Sequence, residues 1–415
     1  MSQPAQVMMI GWEYPPHNSG GLGVACHGLT KALASQKTQI HFTLPYLHTD
    51  KVSHMKLLQC SDDSWGAEGL ETLYQPPFSV YDTTLETLQV RKSGDLDQYA
   101  LRTLPRSELE TKVGQYAKVV ASAGRKMKNK YQVIHAHDWM SFPAGIKLKQ
   151  KTGKPLITHV HSTEYDRSGL GSGSSYIEHT EYLGINAADK VIAVSHYTKS
   201  ILVQKYGINP NKVAVVHNGI DPLPFYPDRG RHHFAGKRPL VAFMGRLTLH
   251  KGADYFLKVA KKVVEEVPEV LFVVAGSGDM YHELLFQTAR EGLSASVLFS
   301  GFIRDVQKEK LLNRADVFMM PSISEPFGLV ALEAAQRHIP VIISKNTGVS
   351  EVMTGSLAID FWDVDRMAAA VVKLVTDQEF AQQVRDGQLQ NLDHLTWDEA
   401  AGKVNQLYQQ TLAET

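Results

Sequence analysis

A chain of 415 residues is longer than one ordinary domain and comfortable for two. Its apolar share of 43% is that of a globular protein with sizeable cores, and its 43 Lys and Arg balance 43 Asp and Glu, which argues against a whole-chain polyanion binder or a nucleic-acid partner. Two cysteines, Cys26 and Cys60, supply neither a disulfide framework nor a zinc pattern; with no secretory leader and no apolar run of membrane-spanning length, a cytoplasmic protein is expected.

Val7–Trp12 reads as a short strand, and the loop after it carries Gly20, Gly21 and Gly23 before the helical spacing of Val24, Leu29 and Leu33. Strand, glycine loop and helix in that order let backbone N–H groups approach a phosphate. Gln39–Pro45 is a second strand, and 48–105 is polar and reads as an insertion or rim. Leu109–Lys130 has helical spacing and ends in Arg125, Lys126, Lys128 and Lys130. Basic residues there complement the helix dipole, and a patch on a membrane surface is the alternative.

VIHAHDW at 133–139 is a strand with His135, His137 and Asp138 at its carboxyl end, where parallel sheets bind ligands. The two histidines share a face and Asp138 does not, so hydrogen bonding toward a sugar or the next strand is expected in place of a metal site. PLITHVH at 155–161 is the next strand; His161 leads into Ser162-Thr163-Glu164-Tyr165 and a flexible GLGSGSS at 169–175. Asp189–Ser195 and Lys212–Val216 are further strands, with Ser195 capping a helix to Tyr206 and Asn218 beyond the second strand. The proline-rich stretch 222–239 breaks periodicity as a linker.

The second half repeats the alternation. Strand Leu240–Met244 is followed by Arg246, Lys251 and a helix from about Ala253. Arg offers a bidentate fork and Lys a mobile point charge, both suited to a diphosphate. Leu271–Ala275 leads to a glycine turn at Gly276, and Val297–Ser300 to the turn holding Ile303, where base or ribose is expected to pass. Strand Val317–Met320 runs into SISEPFGLVALEAAQ, with a helix predicted from Pro326 or Phe327. Its first-turn amides form an anion site, and Gly328 lets a ligand come close. Glu325 and Glu333, eight residues apart, span about 12 Å along a helix at 1.5 Å per residue. Hydrolase carboxylate pairs sit at roughly 5 to 9.5 Å, so two hydroxyl-bearing groups at opposite ends of one phosphate-linked ligand fit better. Asp363 and Asp365 resemble a metal-binding Asp-x-Asp but read as a helix start. Trp397–Leu412 is amphipathic and terminal.

Glu325-Pro-Phe-Gly with Glu333 resembles the signature of the family 4 retaining glycosyltransferases, while HAHDW and the glycine loop resemble glycogen and starch synthases. Asn18 and Val24 stand where those synthases carry Lys and Asp. The resemblance covers nearly the whole chain. It implies a GT-B fold of two Rossmann-like doubly wound parallel-sheet domains facing across a cleft: an acceptor-side domain at 1–221, a linker at 222–239, a nucleotide-sugar domain at 240–394 and a helix at 395–415 crossing back with Trp397 as hinge anchor.

It also implies roles. Glu325, His161, Arg246 and Lys251 are catalytic. Donor binding falls to Gly20, Gly21, Arg246, Lys251, Gly276, Ile303, Glu325, Phe327, Gly328, Leu329 and Glu333. The acceptor or sugar side falls to His137, Asp138, His161 and Asn218. No metal or other cofactor is implied; the partners are a UDP-, ADP- or GDP-linked sugar and a carbohydrate acceptor. Glucosyl transfer to a glucan or small glucoside leads. A membrane-surface hexosyl or mannosyl transferase and a non-enzymatic sugar-nucleotide or glycan-binding module stay open, as do the base, the acceptor and the oligomeric state.

Overall fold

The computed structural model describes residues 4–16, 20–45, 52–59, 106–171, 173–222, 238–390 and 392–415. Asn18, Cys60, most of the 48–105 insertion and most of the 222–239 linker lie outside these. The chain divides into two compact units. One holds the residues up to Glu164, Ser172–Gly219 and Thr396–Thr415; the other holds Tyr165–Gly171 and Ile220–Leu395.

The first unit is built from β1 (Gln6–Ile10), α1 (Gly21–Ser35), β2 (Gln39–Leu44), β3 (Lys56–Gln59), α2 (Arg106–Lys126), β4 (Val133–His137), α3 (Phe142–Thr152), β5 (Leu156–Val160), α5 (Ser175–Ala187), β6 (Lys190–Ala193), α6 (His196–Gln204) and β7 (Val213–Val215), while the short α4 (Glu164–Arg167) carries the chain into the second unit from Tyr165 on. Its described strands form one parallel sheet in the order β3-β2-β1-β4-β5-β6-β7. β4 and β5 are buried at every position, as expected of strands covered on both faces. β3 falls inside the polar stretch: four residues, two of them Lys56 and Gln59, carry too little pattern, yet Leu58 is buried. Ser195 caps α6 by accepting from Thr198 N–H, as its position before the helix predicts.

The second unit runs β8 (Leu240–Met244), α7 (Ala253–Glu266), β9 (Leu271–Ala275), α8 (Tyr281–Arg290), β10 (Val297–Gly301), α9 (Asp305–Arg314), β11 (Val317–Met320), α10 (Leu329–Gln336), β12 (Val341–Ser344), β13 (Leu357–Ile359), α11 (Val364–Thr376) and α12 (Gln378–Leu389). The sheet order is β10-β9-β8-β11-β12-β13, again all parallel. In each sheet the strand order reverses once, at β1/β4 and at β8/β11. Open parallel sheets bind ligands in the crevice outside the carboxyl ends of the strands at that reversal.

The last helix, α13 (Trp397–Glu414), belongs to the first unit. Trp397 packs on two glycines: a Cβ at Gly28 would lie 2.1 Å from its ring and one at Gly219 2.2 Å from its backbone N. α13 also covers an imidazole stack that the period-2 pattern of β4 and β5 creates. His135 and His137 stack at 4.3 Å between ring centroids, His159 and His161 at 4.2 Å, and the register sets His137 beside His159. His135 Nδ1 lies 2.6 Å from the Tyr408 hydroxyl of α13. His135 Nε2, His137 Nε2 and both nitrogens of His159 are buried without a hydrogen-bond partner among the described residues.

Burial pushes His135 and His161 down to about 3 and His137 and His159 well below their usual range, so the stack is neutral. Groups depressed in the fold but ordinary in the unfolded chain stabilise above the unfolded pKa of about 6.5 and destabilise as pH falls below it. Unfolding titrations from pH 8 to 4.5 should show constant stability above pH 6.5 and a decline below. His159→Phe keeps a flat ring and removes no hydrogen bond. It should match the wild type at pH 8 and lose about 1.4 kcal/mol per pH unit of the acid slope. An unchanged slope would mean that His159 is not held neutral.

Candidate active site

The second unit's switch point is formed where the loops after β8 and β11 touch backbone to backbone. After β8 the chain passes Arg246 and makes a short 3-10 turn, Leu249–Lys251, closed by Gly252 at φ +69°. A Cβ at Gly252 would sit 2.0 Å from Pro321 O, so only glycine permits the approach. Ile323 N–H donates to His250 O at 2.8 Å across the same seam. These contacts bring Lys251 Nζ to 2.5 Å from Glu325 Oε2, with the two side chains only 23% and 11% exposed.

Glu325 is fixed by strand-like pairing in place of a helix. Its N–H donates to Asn346 O at 3.0 Å, its carbonyl accepts from Gly348 N–H at 2.9 Å, and Phe327 O accepts from Val349 N–H at 2.7 Å. The helix predicted from Pro326 or Phe327 therefore begins later, at Leu329, after Gly328 at φ +107°. Pairing with the loop after β12 outcompetes the first helical turn, and Gly328 makes the corner. A Cβ there would meet Met320 Cε at 2.8 Å, the movable end of a flexible side chain, so the positive φ is what calls for glycine. The helical spacing of Glu325 and Glu333 fails for the same reason, because only the part from Leu329 onward is helical. Phe327 is buried and Leu329, at the start of α10, is half-buried.

Arg246 and Lys251 act on one place. Burial and then the charges of Lys251, Arg246 and Arg167 hold His250 neutral, well below its usual pKa. Lys251 pairs with Glu325 four residues before α10 opens, and Arg246 is close enough for its charge to bear on His250; a lysine and an arginine in one corner suit a phosphate. Glu333 projects from α10 to Lys308 of α9, whose Nζ lies 2.9 and 3.0 Å from its two oxygens. Ile303, in the turn before α9, is half-buried. Gly276 has φ +153°, but a Cβ there would lie 1.8 Å from Gly245 O. Its glycine is required by the neighbouring backbone, independent of any ligand.

In the first unit, Gly20 and Gly21 open α1 at the β1/β4 reversal, and a Cβ at Gly21 would meet nothing within 4 Å. Asp138 bends back at φ +58° and is 1% exposed; its Oδ1 accepts from His161 N–H at 2.7 Å and Ser162 N–H at 3.4 Å. His137 Nδ1 lies 3.1 Å from His161 Nε2. His137, Asp138 and Asn218, expected on the sugar side, are thus interior residues, while His161 keeps partial exposure and is oriented by the first two. Buried polar groups at a strand end satisfy one another more often than they meet a ligand. The stretch at 169–175, expected to be flexible, is tied down where it is described beyond residue 172: Glu164 Oε1 accepts from Ser174 N–H at 2.8 Å and Glu178 Oε1 from Gly173 N–H at 3.1 Å.

Among the described residues two groups of side chains have metal-ligating types close together, His135-His137-His159 and Cys26-His137-His161. In the first, the planes of His135 and His159 are 8° apart and those of His135 and His137 24°. A metal must lie in the plane of each imidazole it binds, and nearly parallel stacked planes do not converge on one point. The Asp363-Asp365 pair is likewise no chelate: Asp363 Oδ1 caps α11 by accepting from Arg366 N–H, and Asp365 pairs with Lys262 at 2.6 Å.

Sequence reading missed Asp166, Ser324, His250 and Lys308. Ser324 Oγ donates to Asp166 Oδ1 at 2.5 Å inside the second unit, one residue before Glu325. No local signal marks that pair, whose partners are 158 residues apart; the polar run at Ser322–Glu325 in a buried corner was the only cue.

Comparison with known proteins agrees with this geometry. The family described as Glycosyl transferases group 1 matches residues 227–388, and Glycosyltransferase Family 4 matches 89–222. The alpha-maltose-1-phosphate synthase of Mycolicibacterium smegmatis is 30% identical over 68% of this chain and 79% of its own. The glycogen synthase of Mycobacterium tuberculosis is 28% identical over 97% of this chain and 94% of its own. Among solved structures, sucrose-phosphate synthase from Thermosynechococcus elongatus superposes with a TM-score of 0.75 at 19% identity, covering 99% of this chain and 100% of that one. With both halves matched and a relative at that identity, the chain belongs to glycosyltransferase family 4 and has the GT-B fold.

Proposed function

We propose that this protein is a retaining hexosyltransferase, with glucose the leading sugar. It moves the sugar from a nucleotide diphosphate donor to a carbohydrate hydroxyl, as α-glucosyl transfer to a glucan or small glucoside. The observation that carries this reading is the Lys251–Glu325 pair at the β8/β11 reversal, with Arg246 beside it and the amide end of α10 adjoining. The names of the synthase relatives support the glucan direction.

In this reading Lys251 and Arg246 take up the charge that develops on the departing diphosphate, usually the largest catalytic contribution available. Glu325 releases Lys251 to the phosphate and receives sugar hydroxyls. His161, neutral and oriented by Asp138 and His137, contacts the donor sugar. Glu333 accepts from the ribose. The bond from the sugar's anomeric carbon to the phosphate oxygen breaks. The acceptor oxygen bonds to that carbon on the same face, and its proton passes to the leaving phosphate oxygen. We propose that no metal takes part, Lys251 and Arg246 taking up the charge of the diphosphate in its place.

The exposed basic residues Arg125 and Lys126 at the end of α2, with Lys128 and Lys130 in the turn after it, support a second reading in which the acceptor is a lipid or cell-surface precursor. Among the described residues no helix is long and apolar enough to cross a membrane.

Turnover should be assayed with UDP-, ADP- and GDP-glucose. Lys251→Met and Glu325→Gln should each lower kcat/KM by about 100-fold or more. Each should also cost about 1 kcal/mol of stability by leaving its partner unpaired, and the double variant should regain most of that stability without regaining turnover. Wild-type turnover from either single variant removes the pair from the mechanism. In co-sedimentation with anionic phosphatidylserine vesicles at 0.15 M salt the protein should stay in the supernatant; pelleting that Lys126→Glu/Lys130→Glu abolishes would favour the membrane-surface acceptor.

A further inference from the structure

Two adjacent residues of the short α4 reach the β8/β11 corner on both sides of its seam. Asp166, 1% exposed, accepts from Ser324 Oγ at 2.5 Å, and Ser324 is the residue before Glu325. The Arg167 backbone is hydrogen-bonded to the His250 ring, and His250 is the residue before Lys251. Gly169, at φ +65°, closes against the same loop: a Cβ there would lie 3.2 Å from Leu249 Cδ2. The segment Tyr165–Gly171 lies in the second unit, although the chain on either side of it belongs to the first. It therefore holds the neighbours of both members of the Lys251–Glu325 pair.

The run leading to Glu325 is also anchored by backbone. Ile323 N–H donates to His250 O at 2.8 Å, Ile323 O accepts from Asn346 Nδ2 at 3.1 Å, and Glu325 N–H donates to Asn346 O at 3.0 Å. These bonds set where the chain passes. The bond from the buried Ser324 hydroxyl to Asp166 adds a direction at the residue between, and 2.5 Å is the length of an O–H donor on a carboxylate. A buried polar pair can often be replaced by apolar groups without loss of stability, so its presence argues weakly for a stability role. What it supplies here is orientation of the main chain from which the Glu325 side chain departs. Orientation matters at a reacting centre, where a displacement of about 1 Å can cost about 100-fold in rate.

We propose that Asp166 is a positioning residue for the transfer reaction, acting through Ser324 to hold the Glu325 carboxylate opposite Lys251 and within reach of the donor sugar. The inference rests on the donor reading given above. In that reading Arg246 and Lys251 grip the diphosphate whether or not Asp166 is present. Loss of Asp166 should therefore slow the bound complex and leave donor affinity nearly as it was.

The test is steady-state transfer by the full chain from UDP-, ADP- or GDP-glucose, whichever it turns over. Asp166→Ala and Ser324→Ala should each lower kcat by about 10- to 100-fold with the donor KM within about twofold of wild type. The double variant should fall no further than either single one, since the same bond is lost in all three. Asp166→Asn, whose amide oxygen accepts from the same hydroxyl, should stay within about threefold of wild type. Glu325→Gln is the reference. On that background Asp166→Ala should lower kcat by less than about twofold, because the group it positions is gone, whereas a merely structural role would cost as much as on the wild type. The positioning role is wrong, and the donor reading stands, if Glu325→Gln is impaired while Asp166→Ala keeps the wild-type kcat or costs as much on the Glu325→Gln background as alone. Ser324→Ala decides in the same way should Asp166→Ala not fold. If Glu325→Gln turns over like the wild type, or no nucleotide-linked glucose is used, the donor reading fails and the inference with it.

Discussion

The site depends on a single close approach between two backbones. The loop after β8 and the loop after β11 meet where Gly252 faces Pro321 O, at a separation that no side chain tolerates. Everything charged at the corner follows from that seam. It sets Lys251 against Glu325, leaves Arg246 and His250 beside them, and turns Ser324 inward to Asp166. An ammonium on a flexible stem and a carboxylate on an ordinary loop would average over many positions. Here the backbone is fixed first, and the side chains have little left to choose.

The two units share a topology and differ in chemistry. At β1/β4 Asp138 holds the His161 and Ser162 amides, and the histidines stack as neutral rings with four of their nitrogens lacking a hydrogen-bond partner among the described residues. At β8/β11 the groups are ionised and only partly covered. Burial explains the contrast. A charge deep in a doubly covered sheet must be paired or given up, and the histidines of β4 and β5 give theirs up. A lysine and a glutamate at a loop seam pair with each other.

Glycines carry much of this architecture, by two mechanisms. Gly252 and Gly276 are required because another backbone occupies the position of the missing Cβ. Gly328 combines a left-handed conformation with contacts from Met320 and Val349. Gly21 is different: it is exposed, and no described residue lies within 4 Å of the place its Cβ would take.

By itself the sequence determined the alternation of strands and helices, the parallel two-sheet class, and which loops carry Arg246, Lys251, Glu325 and Glu333. Apolar runs, helix caps such as Ser195 and Asp363, and glycines at strand ends are local signals, legible without knowing what packs against them. Tertiary structure alone decided the rest. The start of α10 moved from Phe327 to Leu329 because residues 346–349 pair with Glu325 and Phe327. His137 went inside because β4 is covered on both faces, and Asp138 because the chain turns back after β4 and its carboxylate takes the His161 and Ser162 amides. Asp166, His250 and Lys308 joined the corner through contacts made across the fold. Such partners lie dozens of residues apart along the chain, and no periodicity or propensity connects them. Their meeting is fixed by sheet order and backbone approach, which exist only once the chain has folded.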